Sequence, residues 1–156
     1  MTIKLTKKII IVVMITLVVI QFIQPARNKS TEASASDISK VLSVPDSVQL
    51  ILKNACYDCH SNNTRYPWYS NIQPVGWFLA NHIKKAKEML DFNEFGGYSA
   101  RRQQNKLDAI ANEVSTNGMP LPSYRLLHKN ARLDRIERAQ LTNWAQHSEE
   151  SITIEQ

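Results

Sequence analysis

Val48-Gln49-Leu50-Ile51-Leu52-Lys53-Asn54-Ala55-Cys56-Tyr57-Asp58-Cys59-His60 is the stretch on which the fold turns. Cys56 and Cys59 are the chain's two cysteines, and with His60 they spell C-x-x-C-H. That spacing is the attachment signal for c-type haem. Two thiols set two residues apart match the two vinyl groups of a porphyrin. A histidine next in line then lies under the iron as the proximal axial ligand. The expected cofactor is therefore one covalent haem c per chain, held by the thioethers of Cys56 and Cys59 and the imidazole of His60.

Three other chemistries share parts of this motif. A redox C-x-x-C belongs at the start of a helix after a strand, in a βαβ unit. No alternating strand pattern elsewhere in the chain supports such a sheet. Zinc needs four ligands, and His82, His128 and His147 do not supply the spaced histidine pair of a finger. A plain disulfide leaves His60 without a role.

Lys4, Lys7 and Lys8 precede an apolar run, Ile9–Ile23, broken only by Thr16 and Gln21. Fifteen residues at ~1.5 Å each span about 22 Å, short of a ~30 Å hydrocarbon core. Flanking Leu5, Thr6 and Gln24 and the snorkelling Lys7 and Lys8 extend it. The alternative is a signal peptide, but the nearest small-x-small site, Ala33-Ser34-Ala35, is distant. With either reading the lysines stay inside and the remainder is exported, to the periplasm of a bacterium. The formal charge of +5 resides in this front end, because Lys4, Lys7, Lys8, Arg27 and Lys29 precede the first acid, Glu32. The rest is neutral, so no nucleic-acid footprint is expected.

The chain divides into an N-terminal membrane anchor or signal peptide (1–24), a polar flexible tether (25–43), a haem-binding domain (44–147) and a disordered tail (148–156). Asp46 or Ser47 is placed to cap a helix that carries Val48, Leu50, Ile51 and Leu52 into the haem motif. A second helix is predicted over about 75–90, with Phe78, Leu79, His82, Ile83, Ala86, Met89 and Leu90 on one face. A third spans about 99–117, with a Leu107, Ile110, Ala111, Val114 stripe and Gly118 as its stop. Met119-Pro120-Leu121-Pro122 reads as loop. A last helix starts at an Asp134–Glu137 capping box and lines its inner face with Leu133, Ile136, Leu141 and Trp144.

A helix entering C-x-x-C-H, a Met-Pro loop and a terminal helix with an inward aromatic together resemble the all-α cytochrome c fold. More narrowly, C-Y-D-C-H-S-N-N-T-R-Y-P-W-Y-S-N-I-Q-P, then Trp77 and His82, then G-M-P-L-P-S-Y, resemble the haem-binding domain family of Bacteroidetes membrane-anchored proteins. The likeness covers about residues 42–147. It implies haem and export more directly than it implies a reaction. The long aromatic segment after His60 departs from ordinary cytochrome c.

The other face of the iron decides the function. Met119, on a loop between Gly118 and Pro120, is the leading distal axial ligand, a reading its Met-Pro match to cytochromes c supports. His82, on the apolar face of the second helix, is the alternative distal ligand, or a core or propionate partner. His128, in a loop after Leu126-Leu127, reads as a minor distal candidate or a surface residue, and His147, near the tail, is not expected to reach the iron. Tyr66, Trp68, Tyr69 and Trp77 are expected to wall the haem or the core, and Arg65 to meet a propionate or solvent. Lys84, Lys85 and Lys87 read as a docking patch or a solvated face. No acid–base pair or substrate site is evident, so no enzyme activity is expected. The expectation is a membrane-anchored, periplasm-facing monohaem cytochrome that passes single electrons to redox partner proteins of the cell envelope. A haem sensor or ligand-binding module, with an open or labile sixth position, is the alternative.

Overall fold

A computed structural model describes residues 2–30 and 34–152, with side chains from residue 5 onward. Its helices are α1 (Thr2–Ile20), α2 (Ile38–Val41), α3 (Asp46–Ala55), α4 (Tyr57–His60), α5 (Val75–Met89), α6 (Ala100–Ser115), α7 (Pro122–Leu127) and α8 (Arg135–Ser151). Short 3-10 turns cover Trp68–Asn71, Phe92–Gly97 and Lys129–Ala131. Among the described residues there is no strand, so the all-α expectation holds and the βαβ alternative has no sheet to stand on.

The core is one apolar cluster. Leu107, Ala111 and Val114 of α6 meet Leu141, Trp144 and Ala145 of α8, and Val48, Ile51, Leu52 and Ala55 of α3 close it. The i, i+3, i+4, i+7 spacing of the α3 set puts those side chains on one stripe. Leu50, another apolar residue of this helix, falls off that stripe and is 60% exposed. Phe92 and Phe95, from the turn after α5, are also fully buried in the cluster.

The Asp134–Glu137 capping box forms as predicted, with the Asp134 carboxylate accepting from the Glu137 N–H and Glu137 answering. Ile136 is 68% exposed rather than inward. It lies five residues before Leu141, roughly 140° round the helix. At the end of α6 the left-handed residue is Asn117, with φ 67°, rather than Gly118. Gly118 serves a different purpose, since a Cβ there would meet the Glu113 carboxylate. Pro122 belongs to α7 at its first turn, where its missing N–H costs nothing. Part of the tail expected to be disordered is ordered: α8 runs to Ser151, and Gln104 donates to the Ile152 carbonyl at 2.8 Å. Residues 153–156 lie outside the described residues.

The stretch 25–43, expected as a free tether, is bound down along its described length. Arg27 donates to Ser70 and Asn71, and its guanidinium lies 4.2 Å over the Tyr66 ring. Asn28 bonds Ser61, Thr64 and Tyr66. Asp37 caps α2, receives the Tyr57 hydroxyl and bonds Asn93, and Ile38 is fully buried. Polar composition suggested coil, but these side chains find specific partners on the domain. Ala33, part of the possible cleavage site, lies outside the described residues.

Among the described residues no helix is long and apolar enough to cross a membrane. This leaves the predicted transmembrane helix unsupported by α1 itself, which rises about 28 Å over its length. Its apolar side chains from Leu5 to Val19 are nonetheless 43–61% exposed, and none is buried in the domain.

Candidate functional site

The first turn after α3 builds the site. Cys56 ends α3 with its N–H on the Leu52 carbonyl, and α4 follows at once, carrying Cys59 and His60. The N–H groups of Cys59 and His60 both donate to the Cys56 carbonyl, at 3.1 and 3.0 Å. One tight turn therefore holds both thiols and the imidazole. The cysteines are free thiols, not a disulfide. Burial pushes Cys56 up to about 12, helped by the neighbouring Cys59 charge, and Cys59 up to about 11, helped by Asp58.

His60 is the most constrained member. Its Nδ1 lies 2.9 Å from the Leu90 carbonyl, one residue past the end of α5. A carbonyl only accepts, so Nδ1 carries the proton and Nε2 presents a bare lone pair. Burial lowers the His60 pKa and keeps the ring neutral, as a metal ligand must be. Phe92 packs at 5.8 Å from the ring and itself stacks on Tyr57 at 5.1 Å.

These residues fit a covalent haem on the chemistry of the donor set. Two free thiols and one oriented imidazole share a turn, and the partner on Nδ1 fixes the ring. Among the described residues no three His, Cys, Asp or Glu side chains converge as a metal centre. One face of α5 is apolar and uncovered: Phe78 is 60% and Met89 66% exposed. Those two residues were expected in the core. They share a stripe with His82, while Gly76 and Ile83 take the buried side.

The His82 ring packs tilted against Phe78, centroids 4.2 Å apart, and donates from Nδ1 to the Phe78 carbonyl at 3.0 Å. Its Nε2 is therefore also bare. Met119 sits half-buried on the loop after α6, its N–H bonded to the Glu113 carbonyl at 3.0 Å, ahead of a buried Pro120. His147 bonds Asn143 within α8.

A polar network backs the motif from the other side. Asp58, between the two cysteines, is buried. It accepts from Arg65 Nε at 3.0 Å and from the Tyr124 hydroxyl at 2.6 Å. Arg65 thus meets a carboxylate of the haem motif itself. Tyr124 stacks on His128 at 4.0 Å, and His128 Nε2 lies 2.7 Å from the Tyr69 hydroxyl. His128 is therefore not a plain surface residue. Burial raises the phenols of Tyr124 and Tyr69 and lowers His128. Asp58 and Tyr124 were not singled out from the sequence. The pointer was the placement of Tyr124 close behind Met119-Pro120, on the segment that would cover the haem.

Of the predicted wall residues, Trp68 is 76% exposed, and two more serve elsewhere. Trp77 donates from Nε1 to the Ile23 carbonyl at 2.8 Å, and the Tyr66 hydroxyl accepts from the Asn28 N–H at 2.7 Å. Both pin the N-terminal segment. Lys87 turns to Asn28, Asn62 and Asp91, and Lys84 pairs with Glu88 at 4.0 Å, which leaves a reduced basic patch.

No curated protein and no solved structure matches the chain. A family model described as haem-binding domain matches residues 15–147, a span that takes in the end of α1, the bound-down stretch after it and every element of the site. With the C-x-x-C-H turn, its oriented imidazole and this match in agreement, the chain belongs to the haem-binding domain family.

Proposed function

We propose that this chain is a membrane-anchored, periplasm-facing monohaem c-type cytochrome that carries single electrons between proteins of the cell envelope. The observation that carries the reading is the 2.9 Å bond from His60 Nδ1 to the Leu90 carbonyl beside two free thiols. When bound, haem c supplies an iron couple that changes by one electron. The chain's own residues do the rest. Cys56 and Cys59 would tether the porphyrin, and His60 would offer Nε2 to its metal. Met119, the proposed ligand opposite, stands on a loop whose next element, α7, is tied to the motif through Tyr124 and Asp58.

Membrane attachment is part of the proposal. The apolar side chains of α1 are exposed around the helix, and Lys7 and Lys8 mark the end that stays inside. Phe22 and Ile23 extend the apolar length beyond α1.

The test is expression with a bacterial haem-attachment system. Haem that resists acid–acetone extraction, and that becomes extractable in a Cys56→Ser/Cys59→Ser variant, supports covalent attachment. A low-spin spectrum with a far-red thioether–iron band supports the carrier. Rapid carbon monoxide binding by the reduced wild type would move the assignment to a sensor.

A further inference from the structure

We propose that the domain rests on the membrane surface in a fixed stance, on an aromatic and aliphatic collar that surrounds the exit of α1. The inference rests on the anchor reading above and adds a second contact with the lipid interface.

The end of α1 is not loosely connected. Gln21 Nε2 donates to the Gln73 carbonyl at 3.1 Å, and the Gln73 N–H returns a bond to Gln21 Oε1 at 2.9 Å. Gln73 Nε2 donates to Gln24 Oε1 at 2.9 Å, and Gln24 Nε2 to the Asn71 carbonyl at 3.2 Å. The Trp77 indole closes the knot on the Ile23 carbonyl. Gln73 is almost fully buried at its centre. Two chain segments about fifty residues apart are thereby locked, one at the end of an apolar helix and one on the domain.

The same locus carries unusually exposed apolar side chains. Phe22 is 84%, Ile23 58%, Trp68 76%, Ile72 45% and Val75 42% exposed. Trp68 and Ile72 flank the Trp68–Asn71 turn, and Val75 opens α5. A bilayer that takes α1 along its apolar length reaches this region next, because the knot fixes Asn71, Gln73 and Trp77, which neighbour Ile72 and Val75 in the chain, to the residues just past the end of α1. Tryptophan and aliphatic side chains at that depth suit the headgroup boundary. Continuity with α1 selects lipid as the occupant. A protein partner would have to cover the collar at the very place where the membrane already approaches.

The experiment uses the haem-loaded full chain in phosphatidylethanolamine/phosphatidylglycerol nanodiscs and vesicles. Ile72→Cys is labelled with a hydrophilic maleimide, with Ser115→Cys on exposed α6 as control. Expected is labelling at position 72 slowed about tenfold relative to the same variant in lipid-free detergent, as ~90% lipid-covered population gives. Position 115 should be unchanged. Adding Trp68→Ser to Ile72→Cys should restore fast labelling. Equal labelling in nanodisc and detergent overturns the collar. Vesicle flotation separates the two readings: a chain that floats but labels freely keeps the anchor and loses the collar, and a chain that does not float loses both.

Discussion

The Tyr124 hydroxyl donates a 2.6 Å hydrogen bond to Asp58 Oδ2, joining residues 66 apart in sequence. It ties α7, just behind Met119-Pro120, to the residue between the two cysteines. The same carboxylate also holds Arg65 through its other oxygen.

Replacing Tyr124 by Phe keeps the stack on His128 and removes this bond. A hydrogen bond to a charged, buried carboxylate contributes about 1–3 kcal/mol. Urea denaturation of the haem-loaded protein should show a loss of that order. An unchanged midpoint would mean that water replaces the phenol without cost.

Met119→Ala should turn the iron high-spin and open it to carbon monoxide, read from the visible spectrum. His82→Ala should leave it low-spin, because His82 is occupied locally with Phe78. The opposite pair of results would assign the distal position to His82, whose Nε2 is bare.

The thiols give a pH dependence before haem is attached. Burial raises Cys56 to about 12 and Cys59 to about 11, from 9.0. A raised thiol means the fold prefers the protonated form. The stability this contributes is complete below pH 9 and drains away as pH rises toward 11–12. The urea midpoint of the haem-free chain should therefore fall between pH 8.5 and 11 (roughly, from the same linkage), and less so in Cys56→Ser/Cys59→Ser. Alkylation at pH 8 should be slower folded than unfolded.

Leu141 is fully buried where α8 meets α6. Leu141→Ala should cost ~2–5 kcal/mol by urea denaturation. The visible spectrum of whatever remains folded should be that of the wild type, since Leu141 belongs to the helical core and not to the motif turn.

What could be read in the sequence was what is local. The capping box at Asp134 and the α6 stripe depend on residues three and four apart, and C-x-x-C-H on five consecutive ones. What escaped depends on partners far along the chain. Gln73 looks like any polar loop residue until Gln21 and Gln24 arrive. Asp58 reads as a spacer until Arg65 and Tyr124 reach it. Phe92 and Phe95 sit in a 3-10 turn without helical or strand periodicity, so no pattern marked them as core. The α5 face was legible as apolar, yet apolarity alone could not say that Ile83 turns inward and Phe78 outward.

The carbonyl that holds His60 belongs to Leu90, just past the last turn of α5, at the negative end of that helix. An imidazole whose N–H is drawn toward such a group is a stronger electron donor. With haem bound as proposed, it would steady the oxidised iron and lower its midpoint potential, while a thioether opposite would raise it. On the proposed reading, the place where α5 stops, which looks like plain architecture, would also help to set that potential.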